Sequence, residues 1–145
     1  MPLPTADNHQ PPPVSGLCAL PLRLHPGDDL RAAIAAATRD CPAAFVLQGI
    51  GSLSVARLRF AGKPEPEECV GDLEILTLAG AVCADGPHLH MSVADAQGRV
   101  TGGHVAPGCI VRTTAELLLA VLPDHAFARR HDATTGYPEL TIARR

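Results

Sequence analysis

The feature that most constrains this chain is a short turn set between two strand-like runs. His88 to Ala94 and Arg99 to Val105 read as strands, with Asp95-Ala96-Gln97-Gly98 between them. Asp suits the first position of a type I turn and Gly the left-handed position after it, which together make the three-residue hairpin with a G1 bulge. That loop pairs Asp95 with Arg99, and therefore Ala94 with Val100, Ser92 with Gly102 and His90 with His104. Directly opposed side chains project from one face about 5 Å apart. His88 is two residues from His90, so it shares that face and lies diagonal to His104. A loop of two or four residues would turn His104 to the opposite face. The turn chemistry predicts three imidazoles side by side, with Gly102 and Gly103 leaving space beside them.

Three neutral imidazoles can close on one divalent transition metal at about 2.0–2.1 Å per bond. Three protein ligands and a free fourth position is the catalytic rather than the structural zinc pattern. Imidazole also suits nickel and iron, so zinc is the first expectation and Ni or Fe the alternatives. The competing reading is a surface or interface histidine cluster without metal. An isolated His-x-His pair would favour that reading; His104 in register shifts the balance to metal.

The rest of the chain predicts an α+β domain with a mostly antiparallel sheet and one helix. A length of 145 residues suggests one domain. Leu17 to Leu24 reads as a strand, and Pro21 favours an edge position for it. After His25-Pro26-Gly27, acidic Asp28 and Asp29 suit a helix start. Leu30, Ala33, Ile34 and Ala37 then share one helical face, and Pro42 bars continuation, predicting a helix over 28–40. Ala43 to Gln48 reads as a buried strand ending in a tight turn at Gly49-Ile50-Gly51-Ser52. Ser54 to Phe60 alternates, with Val55, Arg57 and Arg59 on one face and Ala56, Leu58 and Phe60 on the other. A Pro- and Glu-rich loop (62–69), a strand over 73–78, and a strand-like segment over 110–122 follow. Propensity alone allows a helix over 115–122. Gly136 reads as a turn, and Glu139 to Ala143 as a last strand.

Composition narrows the function classes. The net charge is −3, and there is no Trp, one Tyr and three Phe. That argues against a general polyanion binder and against an aromatic platform for bases. No apolar run reaches the length of a membrane span, so no membrane partner is expected. The five cysteines are odd in number and lack a Cys-x-x-Cys pair, which suggests reduced thiols in a cytoplasmic protein. Residues 1–16 hold five Pro and no basic n-region, reading as a disordered tail rather than a secretory signal.

No catalytic residue is assigned by spacing alone; the candidates are Glu74, Arg57 and Arg59. Either Arg can clamp a carboxylate or phosphate, against the alternative of a solvated strand face. Glu74 can serve as a fourth ligand, a general base or an Arg partner, against the alternative of an ordinary exposed carboxylate. Gly49-Ile50-Gly51-Ser52 has no helical pattern after it and fails the context of a phosphate-binding loop. Ser52 has no His partner nearby in sequence. Cys83 is within plausible reach of a metal but is more often a buried thiol. Arg129, Arg130, Arg144 and Arg145 form a basic cluster whose default is solvent.

Several segments together resemble a known family. They are Leu24-His25-Pro26-Gly27-Asp28-Asp29-Leu30, Gly49-Ile50-Gly51-Ser52, Ala56-Arg57-Leu58-Arg59-Phe60, Gly71-Asp72-Leu73-Glu74-Ile75-Leu76-Thr77-Leu78-Ala79-Gly80, His88-Leu89-His90, Gly102-Gly103-His104, Gly108-Cys109 and Thr113-Thr114-Ala115-Glu116. The chain resembles the plants and prokaryotes conserved (PPC) domain over residues 17–143, with 1–16 as the tail and 144–145 as the end. The resemblance implies a homotrimer. Plant members are fused to an AT-hook, and prokaryotic members are described as DNA-binding by that association. No AT-hook is present here, and the acidic balance predicts no DNA binding. The fold also resembles that of acetolactate decarboxylase, a zinc enzyme with three His ligands, an Arg for the substrate carboxylate and a Glu for proton handling. The leading expectation is a trimeric regulatory PPC protein with a metal at His88, His90 and His104. The alternative is a metal-dependent lyase or hydrolase taking a small oxo- or hydroxy-acid as ligand.

Overall fold

The computed structural model describes residues 14–145, so the expected tail lies outside the described residues as far as residue 13. The order is β1 (Cys18–Leu24), α1 (Leu30–Ala37), β2 (Ala44–Arg59), β3 (Glu67–Cys83), β4 (Gly86–Ala94), β5 (Val100–Val105), β6 (Ile110–Val121), β7 (His125–His131) and β8 (Pro138–Arg144). Six strands form one antiparallel sheet in the order β1-β6-β2-β3-β4-β5. β5 also pairs with β2 at Leu58↔Val105 and Arg59↔His104, so β2 to β5 close into a ring. β1 takes the edge that Pro21 predicts, since a residue without N–H weakens a two-sided ladder. β7 and β8 form a separate two-stranded sheet.

The helix is shorter than expected and has chemical reasons for both ends. Asp29, not Asp28, is the N-cap: its carboxylate accepts from the Ala32 N–H at 2.9 Å. Asp28 instead accepts from the His25 N–H at 2.8 Å, closing the preceding turn. At the far end the Thr38 hydroxyl donates to the Ile34 carbonyl at 2.7 Å, and the chain turns away before Asp40. The helix buries Leu30 and Ile34 completely against the sheet. Leu53, Leu58, Leu78, Leu89, Val105, Val111 and Leu119 share that core.

Two expectations are corrected. Gly49-Ile50-Gly51-Ser52 is not a turn: β2 runs straight through it, with register irregularities around Leu53. The glycines serve close packing instead. A Cβ on Gly51 would collide with the Thr114 carbonyl oxygen of β6, and one on Gly49 would press within 3.0 Å of Leu78. The second correction is the loop expected over 62–69, which stops at Pro66 because β3 begins at Glu67 and pairs with β2 from there. Strand β7 is absent from the sequence-based expectations. His125 to His131 has one buried apolar residue, Phe127, and so carries no alternation to read. Residues 115–121 are strand, because β6 is paired on both edges, by β1 and β2, and that ladder outweighs helix propensity. All five cysteines are free thiols.

Candidate metal centre

The β4–β5 turn has the geometry its residues call for. Gly98 takes φ +75°, and its N–H donates to the Asp95 carbonyl at 2.9 Å. The Asp95 N–H donates to the Arg99 carbonyl at 2.9 Å. The Asp95 carboxylate accepts from the Gln97 and Arg99 N–H groups, each at 2.9 Å, and from the Arg99 guanidinium at 2.8 Å. These bonds hold the carboxyl below the usual range. The resulting register is His90↔His104, Ser92↔Gly102 and Ala94↔Val100.

Alternation then sorts the faces. Leu89, Met91 and Val93 point into the core, and His88, His90 and His104 stand on the other side of the sheet. The ring centroids are 5.2 Å apart for His88–His90, 5.0 Å for His88–His104 and 5.9 Å for His90–His104. One nitrogen from each ring lies within 4.8 Å of the others. On β3, Ala79 and Ala81 pair with His90 and His88, and their small side chains leave the imidazoles room.

The donor set fits a metal. Two nitrogens on one tetrahedral ion stand roughly 3.3 Å apart, given bonds of about 2.05 Å. An ion would draw the nitrogens, all within 4.8 Å of one another, toward that value. His104 Nδ1 is buried and has no hydrogen-bond partner, a costly state that a metal bond would relieve. Burial is also the main force lowering the His104 pKa, to about 4, with His88, Arg59, His90 and Arg31 adding repulsion. His88 is lowered too, first by burial, then by Arg129 and His90, while Glu139 opposes. Both rings are therefore neutral near pH 7, the protonation state that ligates metal.

The other candidate residues divide. Arg59 pairs with His104 in the ladder and lines a recess of about 710 Å³ together with Lys63, His88, His104, Tyr137 and Glu139. Arg57 points elsewhere, donating to the Pro107 carbonyl at 3.3 Å and standing 3.9 Å from Glu68. Glu74 pairs with Ala94, four residues along β4 from His90, and lines a different recess with Ser52, Thr113 and Glu116. Ser52 is buried against the Thr113 hydroxyl at 2.6 Å. The buried Cys83 thiol lies near Asp85 and Gly86, and is not one of the clustered metal-ligating groups. Tyr137, Glu139 and Arg129 reach the histidines from the β7–β8 hairpin. Sequence reading missed them, and left Arg129 to solvent, because strand β7 itself gave no periodic signal.

The sequence profile of the Plants and Prokaryotes Conserved (PCC) domain matches residues 14–123. The chain belongs to this family. Over 139 residues, 94% of its length, this PPC chain is 49% identical to the bifunctional protein GlmU of Synechococcus sp. (strain JA-3-3Ab). The alignment takes in 22% of that relative, so the chain spans about a fifth of the length of the curated relatives it matches. A solved structure from Salmonella enterica superposes with TM-score 0.88 at 37% identity, covering 92% of this chain and 98% of that one. A metal-containing protein from Archaeoglobus fulgidus superposes with TM-score 0.73 at 25% identity, covering 89% and 99%. Among the described residues, no helix of this PPC chain is long and apolar enough to cross a membrane.

Proposed function

We propose that this protein is a homotrimeric, metal-holding PPC module in which His88, His90 and His104 bind a divalent transition metal, zinc before nickel or iron. The observation that carries the reading is the convergence of three imidazole nitrogens within 4.8 Å, one histidine keeping a buried nitrogen without a partner. The metal-containing relative from Archaeoglobus fulgidus supports it. A divalent metal held by these three imidazoles would act as a Lewis acid with a position left for an outside ligand. Around it this chain's own groups bind and orient: Arg59 and Lys63 offer positive charge, and Glu139 offers a carboxylate. The match to one part of a much longer bifunctional protein favours a ligand-responsive attachment over a self-sufficient catalyst.

Self-association is supported by the outer face of the sheet. There Leu47 and Ile50 on β2, Leu76 on β3 and Leu118 on β6 stay 43–51% exposed. Ile50 and Leu76 border one recess, and Leu118 pairs beside Gln48. Apolar groups clustered in this way mark an interaction face. DNA binding by family association is the weaker branch, because the chain carries net charge −3.

The test is metal analysis of untagged protein combined with light scattering. One metal per chain in a species of three chains is expected, with the metal lost in His90→Ala and in His104→Ala. Metal-free protein that takes up no zinc on titration would refute the metal centre; a monomer at micromolar concentration would refute the trimer. A second reading, a metal-dependent lyase or hydrolase acting on a small oxo- or hydroxy-acid, is favoured by one observation: Arg59 stands at the recess beside His104. Turnover of such acids by the metal-loaded protein, lost in Arg59→Gln, is its expected signature.

A further inference from the structure

The family match ends at residue 123, yet the recess beside the histidines is walled by the hairpin that follows. Tyr137, Pro138 and Glu139 of that hairpin line the recess together with Arg59, Lys63, Pro64, His88 and His104. On the other side of His88, Arg129 and Leu140 border a second hollow with His90. The sheet within the matched span therefore carries the three histidines, and an element outside that span supplies much of what an incoming molecule would touch.

The charges in the recess are of both signs and are not used up internally. Neither Arg59 nor Glu139 forms an ion pair among the described residues, and both are half-buried. The one side-chain bond of Arg59 is a long donation to the Lys63 carbonyl at 3.4 Å. Partly desolvated charges without partners favour a ligand that brings the complementary charges with it. Two cations and a carboxylate lining one recess call for a molecule that carries both an anionic and a cationic group. A guanidinium is well matched to a carboxylate, which it can hold with two hydrogen bonds. A carboxylate such as Glu139 is matched to an ammonium. Pro64, Pro138 and the exposed Tyr137 ring offer apolar surface for the remainder. The volume, about 710 Å³, lies in the range of small-molecule sites.

Resting on the metal-centre reading, we propose that this recess binds a free amino acid with an apolar side chain, with Arg59 and Lys63 taking its carboxylate and Glu139 its ammonium. Glu139 is then the specificity-determining residue, and it separates an amino acid from the corresponding hydroxy acid.

The experiment is calorimetric titration of the untagged full chain with leucine, 2-hydroxy-4-methylpentanoate and 4-methylpentanoate, which differ only in the group on the α carbon. Metal content is measured on the same samples. Leucine is expected to bind about tenfold or more tighter than the other two, the effect of one charge-assisted contact. Glu139→Gln should erase that preference and leave the metal content unchanged, whereas Arg59→Gln should weaken all three acids about tenfold or more. A preference that survives Glu139→Gln, equal binding of the three acids, or no binding of leucine overturns the proposal. The metal-centre reading fails separately, by absence of metal, and the dependence on Glu139 is then read on the metal-free protein.

Discussion

His90 and His104 are direct partners across the β4–β5 ladder, with ring centroids 5.9 Å apart. Their pairing depends on the G1-bulged loop two pairs beyond Ser92↔Gly102, where Gly98 alone takes a left-handed conformation. Replacing Gly98 with Ala puts a Cβ at φ +75°, which should cost about 1–2 kcal/mol. Chemical unfolding of the metal-free protein measures that loss. If the proposed metal centre holds, zinc affinity should fall in the same variant, because the loop also sets the register of His104.

The pH dependence of stability follows from the histidines. His104 has a pKa of about 4 in the folded chain, against 6.5 for an unperturbed group. Between these values the unfolded chain binds more protons than the folded one, so stability rises with pH. The contribution is complete above about pH 6.5 and is lost as pH falls through the window toward 4. His88, lowered chiefly by burial, acts with the same sign. Urea midpoints of metal-free protein should decline steadily from pH 7 to pH 5. Replacing His104 with Gln should flatten that decline.

Asp29 does two jobs. One carboxylate oxygen caps α1 at the Ala32 N–H, and the other accepts from the Gly108 N–H at 2.6 Å, joining the helix start to the β5–β6 turn. Asp29→Ala should lower stability by about 1–2 kcal/mol, the range for a lost cap. Asp28→Ala removes only the bond from His25 and should cost less. Thermal unfolding of the two variants side by side checks the order.

The β7–β8 hairpin is anchored through Phe127, which is 4% exposed and meets Phe45 edge-on at 5.2 Å. Phe127→Ala should cost about 3–5 kcal/mol locally, as for a buried aromatic. Hydrogen exchange should accelerate in β7 and β8 while β2 and β6 keep their protection. On the proposed metal-centre reading, metal content should stay at the wild-type level, because none of the three clustered histidines lies on the hairpin.

Much of this architecture was legible from local chemistry. Asp95 and Gly98 specify a loop, the loop specifies a register, and the register gathers His88, His90 and His104. The helix was legible for the same reason, since Leu30 and Ile34 repeat at its period. What escaped was set by contacts distant in sequence. Gly51 looked like punctuation, whereas its need is to let β2 pass close to β6 at Thr114, a fact about residues more than sixty positions away. Arg57 and Arg59 looked equivalent on one strand face. They diverge because Arg57 reaches Pro107 and Glu68, while Arg59 pairs with His104 where the ring of strands closes. Glu139 and Tyr137 gave no sign of proximity to the histidines, since only the packing of the final hairpin brings them there.

At Gly80 the strand β3 runs so near β4 that even one methyl group would strike the His88 carbonyl oxygen. Such a fit works like a tooth in a rack: β4 cannot slide along its neighbour without driving a bulkier residue into the gap that only a bare α carbon fills. The strand that presents two of the three imidazoles is thereby locked lengthwise. An ion of another radius would have to be accommodated by the imidazole torsions or by β5, not by a slide of β4 along β3.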